Sequence, residues 1–316
     1  MNKLIKVVAA SVCAVSLSAV AAEDTSTKAA PETALEEEET KIFEAGFDFD
    51  YFSAYVWRNA VQNDDMVMQP CVWADLTYFE PFWLGFSVWQ NYDLTDRRRE
   101  VYTYGINETD YNVHVGATVW SSEDEETELG FELGHDWYTY HGVKNGQGNA
   151  YPDTSEVYVK ATFDNPFVNV YGQVSYMYRD FGDYKQGLHY EIGFTKEIEL
   201  CDSVKLGGDW NVNFGDAHYL TFLYGNTASG AYDHGDGDVY DDYTSQSAGF
   251  GGTTVKAYLT WDVTDYLQLG ATIAYTGILS QPHREAIGDQ GDDYGWDGDS
   301  YSRDLLWGGI SLKLSY

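Results

Sequence analysis

From Phe47 to Tyr316 the chain repeats one kind of segment, about ten to fourteen residues long, in which apolar and polar side chains alternate. An alternation of period two puts successive side chains on opposite faces of a strand. Strands of roughly ten residues, tilted, are long enough to cross a bilayer. The pattern predicts twelve strands, over 47–58, 66–78, 82–93, 109–120, 127–140, 155–164, 167–179, 187–200, 203–214, 252–263, 266–277 and 304–316.

The links between these segments sort by parity. After the second, fourth, sixth, eighth and tenth segments they are brief: 79–81, 121–126, 165–166, 201–202 and 264–265. After the first, third, fifth, seventh, ninth and eleventh they are mostly longer: 59–65, 94–108, 141–154, 180–186, 215–251 and 278–303. A sheet open to water has no reason to sort its loops in this way. An outer-membrane barrel has short periplasmic turns and longer extracellular loops.

Charge placement gives a second test, because Lys or Arg on the lipid face near the midplane costs about 2–4 kcal/mol. In the fourth segment Tyr111, Val113, Val115 and Val119 oppose Asp110, Asn112 and His114. In the ninth, Val204, Leu206, Trp210, Val212 and Phe214 oppose Lys205, Asp209, Asn211 and Asn213. Lys196 alone breaks the rule, sharing parity with Ile192 and Phe194. Either it snorkels to the periplasmic rim or a bulge shifts the register. The predicted fold is therefore an all-β, twelve-stranded antiparallel transmembrane barrel spanning 43–316.

Ile310, Leu312, Leu314 and Tyr316 keep the alternation to the last residue. A closed barrel needs its final strand to pair with its first. This segment is thus expected to close the sheet and to serve as the C-terminal signal read by barrel-assembly machinery. Residues 1–22 read as a signal peptide, with Lys3 and Lys6, an apolar run and a small-residue cleavage site at 19–22. Residues 23–42 read as an acidic, disordered periplasmic leader. These features place the protein in the outer membrane of a Gram-negative-type bacterium.

With 51 acidic and 18 basic residues, the chain has a net charge of −33. That excludes nucleic acid and anionic headgroup surfaces as natural partners. The expected partners are outer-membrane lipids, the assembly machinery and small polar or cationic solutes, with no cofactor. Once the signal peptide is removed two cysteines remain, Cys71 and Cys201, far apart and without metal-ligand spacing; they are expected as free thiols.

The stretch 47–93 contains Ser53, Tyr55 and Arg58 at the top of the first strand. A short polar loop follows, then Gln69 and Pro70, and then a third strand containing Gly85. In these features it resembles the opening of the TorF-type porin family, although that family has Gly after the Arg where this chain has Asn59. The resemblance implies an outer-membrane channel of loosely defined substrate and supplies no catalytic residues.

Acids of lumen parity are Asp48, Asp50, Asp75, Asp110, Glu128, Glu132, Asp136, Glu156, Glu191, Asp209 and Asp262, against Lys160, Arg179, Lys205, Lys256 and Lys313. Rings of carboxylates favour cations; the same charges could instead brace a plugged lumen through salt bridges. Asp48, Asp50, Asp75, Asp110, Glu132, Glu191 and Asp209 are the candidate selectivity residues. Inward aromatics include Trp73, Trp83, Tyr138 and Trp307, and Trp89, Trp120, Tyr158 and Tyr171 are the candidate constriction. Two acidic, Gly-rich loops at 232–243 and 288–300 carry the ligand chemistry of calcium but not the spacing of its familiar loop. His114 and the pair His135–Asp136 are the residues an enzyme would use, but no serine stands beside a base in any recognisable motif. These features predict a narrow, passive, cation-preferring channel. The alternative is a non-conducting barrel whose acidic loops serve adhesion.

Overall fold

The computed structural model describes residues 43–79, 81–94, 105–124, 126–141, 153–178, 186–224, 248–280 and 304–316. Its strands are β1 (Phe43–Phe52), β2 (Tyr55–Trp57), β3 (Ala60–Asn63), β4 (Val67–Phe79), β5 (Phe82–Asp93), β6 (Gly105–Ser121) and β7 (Glu128–Tyr140). They continue as β8 (Thr154–Asp164), β9 (Asn169–Met177), β10 (Gly187–Cys201), β11 (Val204–Gly215), β12 (Gly249–Thr264), β13 (Leu267–Ile278) and β14 (Asp304–Ser315), and a helix, α1 (Ala217–Tyr224), follows β11.

Twelve of these strands close one antiparallel barrel, and β2 and β3 stand apart as a hairpin. The seam lies between β1 and β14, where Gly46 faces Ser315 and Phe52 faces Gly309. Beyond the last ladder pair, the Tyr316 N–H donates to the Ala45 carbonyl at 2.9 Å and the Ala45 N–H donates back at 3.2 Å. Closure leaves the barrel wall no edge strand, so outside its bulges the wall's backbone groups pair within the ring.

Cross-strand partners share a face, and this fixes the two surfaces. Val72, Phe86, Val113, Leu133, Val159, Val174, Ile192, Leu206, Val255, Ile273 and Ile310 are all exposed on the outside. A continuous apolar belt of this kind is stable in hydrocarbon and would aggregate in water; the barrel is a membrane-spanning one. The opposite parity, which faces the lumen, carries the acids and lysines.

Each of the twelve barrel strands overlaps its predicted segment, with ends shifted by a few residues. One set of connections is short, from Phe79 to Phe82, Ser121 to Glu128, Asp164 to Asn169, Cys201 to Val204 and Thr264 to Leu267. In the turn after β6, hydrogen bonds from the Ser122 hydroxyl and the Glu126 N–H hold the Asp124 carboxyl below the usual carboxylate range.

Lys196 stays in register opposite Gly208, and its ammonium donates to the Pro166 carbonyl in the turn between β8 and β9. It snorkels, and the bulge in β10 lies further on, between Glu199 and Cys201.

Two features depart from the predicted strands. The first segment, read as 47–58, ends as barrel strand at Phe52, and Tyr55–Trp57 belongs to the separate hairpin. The long link after β11, read as loop, contains α1. Residues 1–42, both acidic Gly-rich loops, and Arg179 lie outside the described residues.

Candidate functional site: a lumen crossed by the first hairpin

The connection from β1 to β4 turns into the barrel. Ser53 starts the turn: its N–H donates to the Gly308 carbonyl at 2.9 Å, and its hydroxyl accepts from the Gly308 N–H at 3.1 Å. Ala54, 1% exposed, packs with Ala274 and Trp307 against Phe52, Val56 and Leu305. Ser53 and Ala54 thus fix the direction in which the chain leaves the wall.

The hairpin itself is closed by Arg58 and Asn59, with φ of 49° and 64°. A two-residue turn with both central residues left-handed is the geometry that matches strand twist, and Asn and Gly are the residues it favours. Asn59 therefore meets the same backbone demand as the Gly of the resembled family. Its side-chain amide donates to the Gly252 carbonyl on β12 at 3.2 Å.

At the tip, Arg58 spans the lumen. Its guanidinium makes a two-pronged ion pair with Glu156, one nitrogen donating to Oε2 at 2.9 Å and the other to Oε1, and it also donates to the Tyr219 hydroxyl at 2.6 Å. Glu156 lies on β8, seven places round the ring from β1 in one direction and five in the other. The pair is sequestered, the Arg58 and Glu156 side chains being 10% and 0% exposed. Bidentate Arg–carboxylate pairs are directional as well as strong. Removing one partner of a buried pair costs about 3–5 kcal/mol, because the other charge is stranded.

The surroundings hold this contact in place. The Arg58 guanidinium stacks 4.8 Å from the Trp57 ring centroid and 5.6 Å from that of Tyr219. Trp57 meets Tyr138 edge-on at 5.7 Å, and the Tyr138 hydroxyl donates to Glu156 Oε1 at 3.4 Å. Asn213 on β11 donates to the Arg58 carbonyl and accepts from the Gly252 N–H. Tyr219 is presented by α1, whose N-terminus is capped by Asp216: one carboxylate oxygen accepts from the Tyr219 N–H and the other from the Leu188 N–H of β10, both at 2.8 Å. Ala60, Met177, Tyr219, Leu220 and Ile278 form a buried cluster joining hairpin, helix and wall.

On the near side, the Tyr55 hydroxyl donates to Glu108 at 3.0 Å and its ring lies 5.5 Å from Trp89. Asn63 donates to Asp93 at 2.7 Å, and Asp93 also accepts from Asn91 and Asn107. All three residues of the resembled motif are thus anchors of one inward hairpin. Ser53 fastens its root, Tyr55 its flank and Arg58 its tip.

The lumen wall carries the predicted charges. Register places Asp48, Asp50, Asp75, Asp110, Glu132, Glu191 and Asp209 on the inner face. Two of them have basic partners nearby: Asp209 lies 3.8 Å from Lys256, and Asp75 lies 3.7 Å from His114. Asp48 Oδ1, Asp110 Oδ1 and Asp209 Oδ1 are buried and have no hydrogen-bond partner among the described residues.

The inner aromatics do not project across the lumen as expected of a constriction. Tyr158 faces Gly134 and Tyr171 faces Gly193 across their ladders, and each ring occupies the space a Cβ would take on that glycine. Trp73 over Gly46, Trp83 over Gly116 and Tyr258 over Gly207 repeat the device. The rings lie back on the wall. Their hydroxyls are used there, Tyr158 donating to Glu132 at 2.7 Å and Tyr171 to Glu191 at 2.6 Å. Trp89 is covered by Tyr55.

Trp120 is a correction. A bulge between Thr118 and Trp120 shifts the register, so Trp120 faces Leu129 and stands on the outer surface, 51% exposed. One extra residue in a strand reverses the facing of all that follow.

Ile310, Leu312, Leu314 and Tyr316 share the outer face of the seam strand, and Tyr316 stacks on Tyr266 at 6.3 Å. His135 points outward and shares a hydrogen bond with the Tyr178 hydroxyl at 2.7 Å, whereas Asp136 points inward to Asn112. The adjacent pair therefore cannot act on one substrate. Cys71 and Cys201 are free thiols, Cys71 on the lumen face opposite Asp48 and Cys201 exposed at the turn before β11. Among the described residues no group of three His, Cys, Asp or Glu is placed to hold a metal ion.

No family model matches the chain, and no curated relative does. Solved structures do resemble it. An outer-membrane channel from Pseudomonas putida F1 aligns with a TM-score of 0.49 at 9% identity, over 87% of this chain and 95% of that one. The NanC porin aligns with a TM-score of 0.45 at 10% identity, over 85% and 98% of the two chains. The outer-membrane phospholipase A of Escherichia coli aligns with a TM-score of 0.42 at 10% identity, over 86% and 92%.

Proposed function

We propose that this barrel is an outer-membrane channel for passive diffusion of small polar solutes, narrow and cation-preferring. The observation that carries the reading is the inner wall. Asp75 keeps 41% of its side chain exposed and Asp209 19%, both on the inner face of a barrel whose outside is apolar. A carboxylate so placed is tenable where water or cations reach it, and untenable in a dry, packed interior. The wall acids also outnumber Lys160, Lys205, Lys256 and Lys313, and with Arg58 committed to Glu156 the surplus charge is negative. The hairpin supplies the narrowness. The resemblance to the TorF-type porins points the same way.

Reversal potential in a salt gradient tests the proposal. The Debye length is about 30 Å at 0.01 M and about 3 Å at 1 M. Cation preference is therefore strong at low salt and fades as salt rises. Neutralising Asp48, Asp50, Glu132 and Glu191 together reduces it. A pore indifferent to those four substitutions would refute the lumen assignment.

A further inference from the structure

We infer that the hairpin of residues 53–66 is a latched gate: the Arg58–Glu156 ion pair holds it across the lumen, and releasing that pair opens the barrel to larger molecules. The inference deepens the channel reading and rests on it for its electrical consequence only.

Three observations carry it. The hairpin is a separate element: β2 and β3 pair with each other and join neither neighbour in the wall. Its far-side attachment converges on the tip, through the Arg58 guanidinium, the Arg58 carbonyl and the Asn59 side chain. The groups its tip engages are polar: Glu156 and Asn213 are each 0% exposed, side chains that water would solvate once the tip left. The apolar packing given up with them is small, Ala60 and Trp57 at the tip and Ala54 and Val56 at the root.

Arg58 acts here as a positioning residue.

The native thiol of Cys71 reports the state of the gate. It sits on the lumen face of β4, opposite Trp89, which the hairpin's Tyr55 covers. In a Cys201→Ser background, intact cells are treated with a membrane-impermeant maleimide too bulky for the wild-type lumen, so that reagent arrives from outside. Glu156→Gln and Arg58→Ala are each expected to speed labelling of Cys71 by about a hundredfold or more, the least that loss of a buried pair would shift a two-state equilibrium. The exchange Arg58→Glu with Glu156→Arg is expected to return labelling toward the wild-type rate, a rescue that a general loss of folding would not give. Glu156→Gln, nearly isosteric, serves where Arg58→Ala fails to assemble.

In bilayers the same two variants are expected to raise single-channel conductance severalfold. Labelling unchanged in folded Glu156→Gln barrel would overturn the gate. Equal labelling in the charge exchange and in either single variant would do so too. A wild-type barrel that never conducts would overturn the channel reading, while the labelling rates would still decide the gate.

Discussion

Substituting Gly193 by Ala sets the wall geometry against the lumen's width. Gly193 faces Tyr171 directly, and the atoms the new methyl would meet first are Cε1, Cζ and Oη of that side chain, not backbone. The ring can therefore yield by rotating off the wall, and the space it rotates into is the lumen. Rotation breaks the 2.6 Å hydrogen bond to Glu191, worth about 1.5–3 kcal/mol for a charged acceptor. It also moves the ring from the Lys160 ammonium, now 5.5 Å from its centroid, a further loss of about 0.5–1 kcal/mol. Ala regains about 0.5–1 kcal/mol over Gly in strand backbone entropy. The net expectation is a destabilisation of about 1–3 kcal/mol, read by denaturant unfolding in micelles, together with a fall in single-channel conductance. Truncating the ring as well, in Gly193→Ala with Tyr171→Ala, restores the conductance. Unchanged conductance in the single variant, or a fall that persists without the ring, would refute the picture of rings folded back on glycines.

Gly309→Ala gives the opposite case: its Cβ would meet the Tyr51 carbonyl across the seam, which cannot rotate away, so heat-modifiable folded barrel is expected to drop sharply. Deleting Leu314 to Tyr316 removes the rungs nearest Ala45 and is expected to abolish barrel assembly, measured by the same electrophoretic shift. Trp120→Ala is expected to leave conductance unaltered, since the bulge puts that ring outside; a change would return it to the lumen. Lys196→Leu is expected to shift unfolding by less than about 1 kcal/mol, because an ammonium already bonded at the rim avoids most of the lipid penalty.

The alternation that predicted the strands also explains where the prediction went astray. Phe47, Phe49 and Tyr51 run on in rhythm to Tyr55 and Trp57, and the hairpin strand has the same period as the barrel strand before it. Periodicity therefore could not mark the turn at Ser53. The Arg58–Asn59 pair was the available signal, since Asn in a two-residue link is turn chemistry. Trp120 was misplaced because a bulge adds a residue without leaving a mark in composition. Helix α1, eight residues ending in a run of apolar and aromatic side chains, is too short for its period to be told from a strand. Inner charges such as Glu132 and Glu191 were legible because parity alone decides them. That Glu156, on the same parity, meets an arginine from the first loop is a fact of tertiary structure, and no spacing encodes it.

Planar-bilayer recording of purified, folded barrel in a tenfold salt gradient tests the central claim most directly. Discrete conductance steps with a cation-favouring reversal potential, weakening as both salt concentrations rise, are the expected result. Folded barrel that gives no steps, or steps that favour anions, would contradict it.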